Sequence, residues 1–197
     1  MTTRRTAILI SGTGSNMLAL LEAARNPSYP ARPCLVLSNN PEAAGLARAA
    51  ALGVPVAAVD HRPFAKDRAA FEQALDAVLL AHGTEFIALA GFKRVLTDGF
   101  VGRWQRRMVN IHPSLLPLYR GLDTHARVLA AGDTEHGCTV HWVVPELDAG
   151  EIIEQVRVPI LPGDDAATLA ARVLAAEHAL YPVALARAIR QAAGSDR

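Results

Sequence analysis

Cysteine is nearly absent. Cys34 and Cys138 are the only two among 197 residues, too few for a disulfide framework or a thiolate zinc site, so a reducing compartment is expected. An excess of either charge is missing as well. Twenty Lys and Arg face nineteen Asp and Glu, for a formal net charge of +1, which gives no case for nonspecific nucleic-acid binding. The opening stretch MTTRRTAILISGTGS holds only the short apolar run AILI. That is too little for a secretory signal, and no segment approaches a membrane span. A soluble cytoplasmic protein with no membrane or nucleic-acid partner is expected. No spacing of His, Cys and carboxylates matches a metal-ligand set. No G-x-S-x-G nucleophile elbow occurs, and internal repeats, low-complexity tracts and linkers are absent.

Hydrophobic residues at 51% and charged residues at 20% of a 21.0 kDa chain suit one globular domain over residues 1–197. Short apolar runs alternate with amphipathic stretches. TAILISG, CLVLSN, VPVAAV, EFIALAG and RMVNIH read as strands. Residues 15–25 and 42–52 between them read as helices, as does 64–82, where Phe71, Leu75, Val78, Leu79 and His82 recur at helical spacing. Strand alternating with helix predicts an open, mostly parallel twisted sheet with helices on both faces, an α/β Rossmann-like fold. CTVHWVV and EIIEQVRVPI, joined by PELDAG, predict an antiparallel addition near the C-terminus. A final helix is expected over residues 165–191, with Pro182 inside it.

Three features carry chemistry. ISGTGSN places Gly12 and Gly14 between the first strand and first helix, where backbone N–H groups and the helix dipole suit a phosphate. Gly14, Ser15 and Asn16 are the candidate phosphate ligands, with a tight turn capped by Ser15 as the alternative. Met17 breaks the G-x-G-x-x-G dinucleotide pattern, and no Gly-Lys-Ser/Thr follows as in a P-loop. Second, Asn110 and His112 lie two apart in the strand MVNIH and share one face. Side by side they offer an amide donor for an oxyanion and a titratable imidazole, which suits acyl transfer. A carboxylate near His112 would favour its charged form. Third, Glu177 falls inside the apolar arc of the last helix with Leu169, Val173, Leu180 and Ala184. A carboxylate there needs a partner, either a ligand or an internal Arg.

The block NIHPSLLPLYRG with Asp148 in ELDAG resembles the Asn-x-His…Asp site of the folate-dependent formyltransferases. With ISGTGSN, LAGFKRVL, HGCTVHWV and AEHALYP in order, nearly the whole chain resembles the phosphoribosylglycinamide formyltransferase branch of that family. The resemblance implies transfer of a formyl group from 10-formyltetrahydrofolate, as cosubstrate, to the amine of glycinamide ribonucleotide in purine biosynthesis, with no metal. It implies catalytic roles for Asn110, His112 and Asp148, with His141 as a possible auxiliary. It implies nucleotide contacts at Gly14, Ser15, Asn16 and Glu177. It also implies folate contacts at Arg68, Lys93, Arg94, Val95, Leu96, Asn110, Val144, Pro145, Glu146, Leu147 and Asp148. Residues 1–100 would form the phosphate-binding half and 101–197 the folate-binding and catalytic half of a monomer or homodimer. Lys93, Thr13 and Asp123 depart from the family's pattern. A formyltetrahydrofolate hydrolase and a non-catalytic nucleotide-binding regulatory module are the alternatives.

Overall fold

The apolar runs of the sequence pair into one seven-stranded sheet in the computed structural model, which describes residues 3–195. The strands are β1 (Arg4–Ile10), β2 (Ala31–Ser38), β3 (Val56–Ala58), β4 (Phe86–Leu89), β5 (Met108–His112), β6 (Glu135–Trp142) and β7 (Ile152–Pro159). Their order across the sheet is β3-β2-β1-β4-β5-β6-β7. All pairings from β3 to β5 are parallel, while β5–β6 and β6–β7 are antiparallel. The expected mostly parallel sheet with an antiparallel addition at one edge is thus what forms.

Strand residues alternate between two apolar layers because successive side chains point to opposite faces. Ile8, Ile10, Phe86, Ala88, Val109 and Ile111 enter one layer. There they meet α1 (Ser15–Ala23) and the long α6 (Ala166–Ser195), which supply Met17, Leu20, Leu169, Val173 and Leu180. Ala7, Leu9, Leu35, Leu37, Ile87 and Met108 enter the other layer, against Phe71, Leu75 and Leu79 of α3 (Arg68–Ala81) and Phe100 of α4 (Asp98–Arg103). A buried Leu or Phe contributes about 1.5–3 kcal/mol, so these two layers hold the sheet in place. Helix α2 (Ala44–Ala51) follows β2, and α5 (Thr124–Ala131) precedes β6.

Several expectations are corrected here. The helix read over residues 64–82 begins only at Arg68. Asp67 caps it by accepting from the Ala70 N–H, and residues 62–64 form a separate 3-10 turn. Helices α4 and α5 are additions to the elements expected from the sequence. Helix α6 runs through Pro182. By length and composition residues 166–194 are long and apolar enough to cross a membrane, which corrects the expectation that no segment approaches a span. Leu169, Val173, Leu180, Tyr181, Ala184, Leu185, Ala188 and Ile189 are buried in the first layer, so this helix is the core helix of the fold.

Candidate active site

Strand order reverses between β1 and β4, and in open parallel sheets ligands gather at the carboxyl ends of the strands beside such a reversal. Three groups of polar residues converge at that edge. The first is the turn after β1. Gly14 takes the left-handed conformation, φ 71°, and serves as the N-cap of α1 with no side-chain cap. This corrects Ser15 as the cap. Added carbon at Gly14 would come within 3.0 Å of the Met17 side chain and 3.2 Å of the Gly45 backbone, so both shape and space call for glycine. The first intrahelical bond runs from the Leu18 N–H to the Gly14 carbonyl, which leaves the earlier N–H groups of the helix open to an anion.

Asn16 is buried, and its side chain, which the sequence suggested as a phosphate donor, is bonded to a carboxylate. Its Nδ2 donates to Glu177 Oε2 at 2.7 Å, and its Oδ1 is buried with no partner. Glu177 is indeed buried in the apolar arc of α6, but its companion is this amide and not an arginine. Burial raises its carboxyl to about 6, against a smaller lowering by Asn16. Glu177 keeps its other carboxylate oxygen as an acceptor for a ligand bearing N–H or O–H donors, while Asn16 Oδ1 is closed off from solvent.

The second group sits on the antiparallel pair β5–β6, where register sets Asn110 opposite His141 and His112 opposite Thr139. Asn110 Nδ2 lies 3.2 Å from His141 Nε2, and His141 Nδ1 lies 2.9 Å from the Trp142 carbonyl. The carbonyl can only accept, so Nδ1 carries the proton and Nε2 accepts from Asn110. Burial, the dominant cause, lowers the His141 pKa, consistent with a neutral ring. The Asn110 amide is thereby oriented, with its second N–H left to face a ligand.

His112 Nε2 is 3.1 Å from the Tyr119 carbonyl, so it donates there. Its Nδ1 faces Asp148 Oδ2 at 3.4 Å, and the other oxygen of Asp148 is 3.7 Å from His141 Nε2. With Nε2–H anchored on the Tyr119 carbonyl, Nδ1 is the nitrogen turned toward the carboxylate. Asp148 is fixed from two sides. The Gly121 N–H donates to its Oδ2 at 2.9 Å, and its own backbone sits at φ 48°, a conformation costly for a residue with a side chain and found at functional sites. His112, His141 and Asp148 side chains are each less than a tenth exposed, so their interactions are little screened.

Residues that sequence reasoning missed hold this arrangement. Thr139 Oγ1 accepts from the Leu116 N–H and from Gln155 Nε2 and donates to the Ser114 carbonyl. Those bonds pin the loop that delivers Tyr119 and Gly121 to His112 and Asp148. Only the even spacing of Thr139 and His141 on one strand face hinted at this. Arg120 pairs with Glu146 at 2.6 Å, joining the same loop to the exposed segment Val144, Pro145, Glu146 and Leu147.

The third group is the loop from β4 to α4. Lys93 and Val95 are exposed, Arg94 is half-buried and Leu96 is buried. Arg68 opens α3 and is exposed; one helical turn later Glu72 bonds to Thr97 at the end of that loop. Among the described residues no cluster of three or more His, Cys, Asp or Glu could hold a metal. A surface hollow of about 650 Å³ between α1, α2 and β2 is lined by Leu18, Leu21, Leu52 and Val54 among others. It lies apart from these polar groups.

A doubly wound sheet with an amide, an imidazole and a buried carboxylate at its carboxyl edge defines an acyl-transfer type of α/β protein. The formyl transferase family model matches residues 4–185. The chain belongs to the formyl transferase family. It is 40% identical to the phosphoribosylglycinamide formyltransferase of Escherichia coli, over 90% of this chain and 84% of that protein. It is 48% identical to the trifunctional purine biosynthetic protein adenosine-3 of Bos taurus, over 92% of this chain but only 18% of that protein's length. The crystal structure of phosphoribosylglycinamide formyltransferase from Brucella melitensis is similar at a TM-score of 0.90 and 47% identity, covering 95% of this chain and 96% of that one.

Proposed function

We propose that the protein transfers the formyl group of 10-formyltetrahydrofolate to the amine of glycinamide ribonucleotide, a step of purine biosynthesis. The observation that carries this reading is the Asn110–His141 pair across β5 and β6 and the His112–Asp148 pair between β5 and the loop after β6, beside an anion-ready turn after β1. The phosphate binds at the N–H groups of Gly14, Ser15 and Asn16. Glu177 accepts from donor groups of the same nucleotide. Folate lies along Lys93, Arg94, Val95 and Leu96 and beneath the segment from Val144 to Asp148, with Arg68 toward its acidic end. The protein works as a single domain in the cytosol, and each ligand draws on both halves of the chain.

The amine attacks the formyl carbon, and the carbonyl oxygen becomes an oxyanion. The free Asn110 N–H donates to that oxyanion, which is the charge that develops in the transition state. The amine must lose a proton and the departing folate nitrogen must gain one. His112 Nδ1 and Asp148 form the path between them, with the imidazolium held by the carboxylate. His141 acts through Asn110. The test mixes protein, 10-formyltetrahydrofolate and glycinamide ribonucleotide and follows the folate absorbance. Nucleotide-dependent turnover is expected. Turnover without nucleotide would mean hydrolysis, and nucleotide binding without turnover would leave only a binding module.

A further inference from the structure

The loop after β4 is held at both ends by side chains from elsewhere in the fold. At its start the Ser11 N–H donates to the Gly91 carbonyl, and the Lys93 N–H donates to Ser11 Oγ at 2.7 Å. Ser11 Oγ in turn donates to Asn39 Oδ1 at 2.5 Å. At its far end Glu72 of α3 receives both donors of one residue: the Thr97 N–H at 2.6 Å on Oε1 and the Thr97 hydroxyl on Oε2. Thr97 Oγ1 also accepts from the Phe100 N–H and caps α4. Between the two anchors, the backbone N–H groups of Arg94, Val95 and Leu96 have no hydrogen-bond partner among the described residues.

Glu72 is only 2% exposed and forms no ion pair among the described residues. Burying a carboxylate without a cation is costly, and one threonine could be capped more cheaply. The cost has a purpose if the open stretch of backbone must hold one conformation. A flat heterocycle with alternating donors and acceptors is recognised by backbone only if the N–H and C=O groups stand at fixed spacing. We propose that Glu72, through Thr97, is a positioning residue that holds the Arg94–Leu96 backbone in register with the bicyclic ring of the folate, with Ser11 as its counterpart at the loop's start. This rests on the folate site of the proposed function. It assigns to a buried carboxylate outside the catalytic cluster a part in discriminating the cosubstrate.

The alternative is that Glu72 merely completes the cap of α4. The two roles separate in kinetics. Glu72→Gln and Thr97→Val in the full chain should raise the KM for 10-formyltetrahydrofolate about tenfold or more, since a charge-assisted hydrogen bond to the loop is lost. The nucleotide KM should stay near wild type, and kcat at saturating folate should be nearly restored. Thr97→Ser keeps both bonds and should restore wild-type behaviour, and the Thr97 pair of variants carries the test even if Glu72→Gln does not fold. Lowered melting temperature with unchanged folate KM, or equal rises in both KM values, would overturn the proposal and leave a cap only. Direct binding of 10-formyltetrahydrofolate to the wild-type protein separates the premises. If wild type binds no folate, the proposed function falls and this proposal with it. If wild type binds and the variants bind equally well, the positioning role alone falls.

Discussion

Glu177→Gln tests both the burial of Glu177 and its place in the nucleotide site. Burial raises the Glu177 carboxyl from 4.5 to about 6. Between those values the folded protein keeps a proton that the unfolded chain has released, so stability falls as pH rises through that window and stays lower above it. At about 1.36 kcal/mol per pH unit, ionised Glu177 costs the fold on the order of 2 kcal/mol at neutral pH. Gln keeps an oxygen to accept from Asn16 Nδ2 and removes the charge. The variant should therefore melt about 4–8 °C higher than wild type at pH 7.5, for a chain of this size. At pH 4.5 the two should nearly coincide. Buried His136 acts in the opposite sense. Burial, the largest cause, pushes it from 6.5 down to about 4, so the unfolded chain takes up its proton first and stability is lost as pH falls through that range. The informative quantity is thus the difference between variant and wild type, measured by calorimetry from pH 4.5 to 8. The same variant should raise the nucleotide KM and leave the folate KM alone. A variant less stable than wild type at pH 7.5, or a difference that does not change with pH, would refute the burial argument.

His112→Ala and Asp148→Asn should each lower kcat by about 10²–10⁴, and the double variant should be scarcely worse than the poorer single, because the two act as one unit. Losses that multiply in stopped-flow single turnovers would separate them. His141→Ala should cost kcat while leaving both KM values close to wild type, since it frees the Asn110 amide to rotate; a change confined to KM would place His141 at a ligand. Added carbon at Gly150 would lie 1.7 Å from the Trp142 carbonyl, so Gly150→Ala should push the Asp148 loop off the edge of β6 and lower kcat far more than nucleotide affinity. A crystal structure of that variant with Asp148 in place and full activity would contradict this.

The local patterns of the chain were enough for much of this. Side-chain period two in MVNIH put Asn110 and His112 on one face, and period 3.6 put Glu177 inside the apolar arc of α6. Glycines between a strand and a helix marked the turn into α1. Each of these depends on neighbours within a few residues, which is where periodicity and turn chemistry act. The partners of those residues were decided elsewhere. Asn110 finds His141, 31 positions away, only because β5 and β6 pair antiparallel in one register. Asn16 meets Glu177, 161 positions away, because α1 and α6 pack on the same face of the sheet. The start of α3 at Arg68 and the Thr97 cap of α4 likewise follow from which donor meets which acceptor. A hydrogen bond fixes atoms to within a few tenths of an ångström, and no local pattern carries the distance between segments that packing sets. The sequence specified the reactive groups and their faces; the register of the sheet and the packing of α1, α3 and α6 chose what each of them touches.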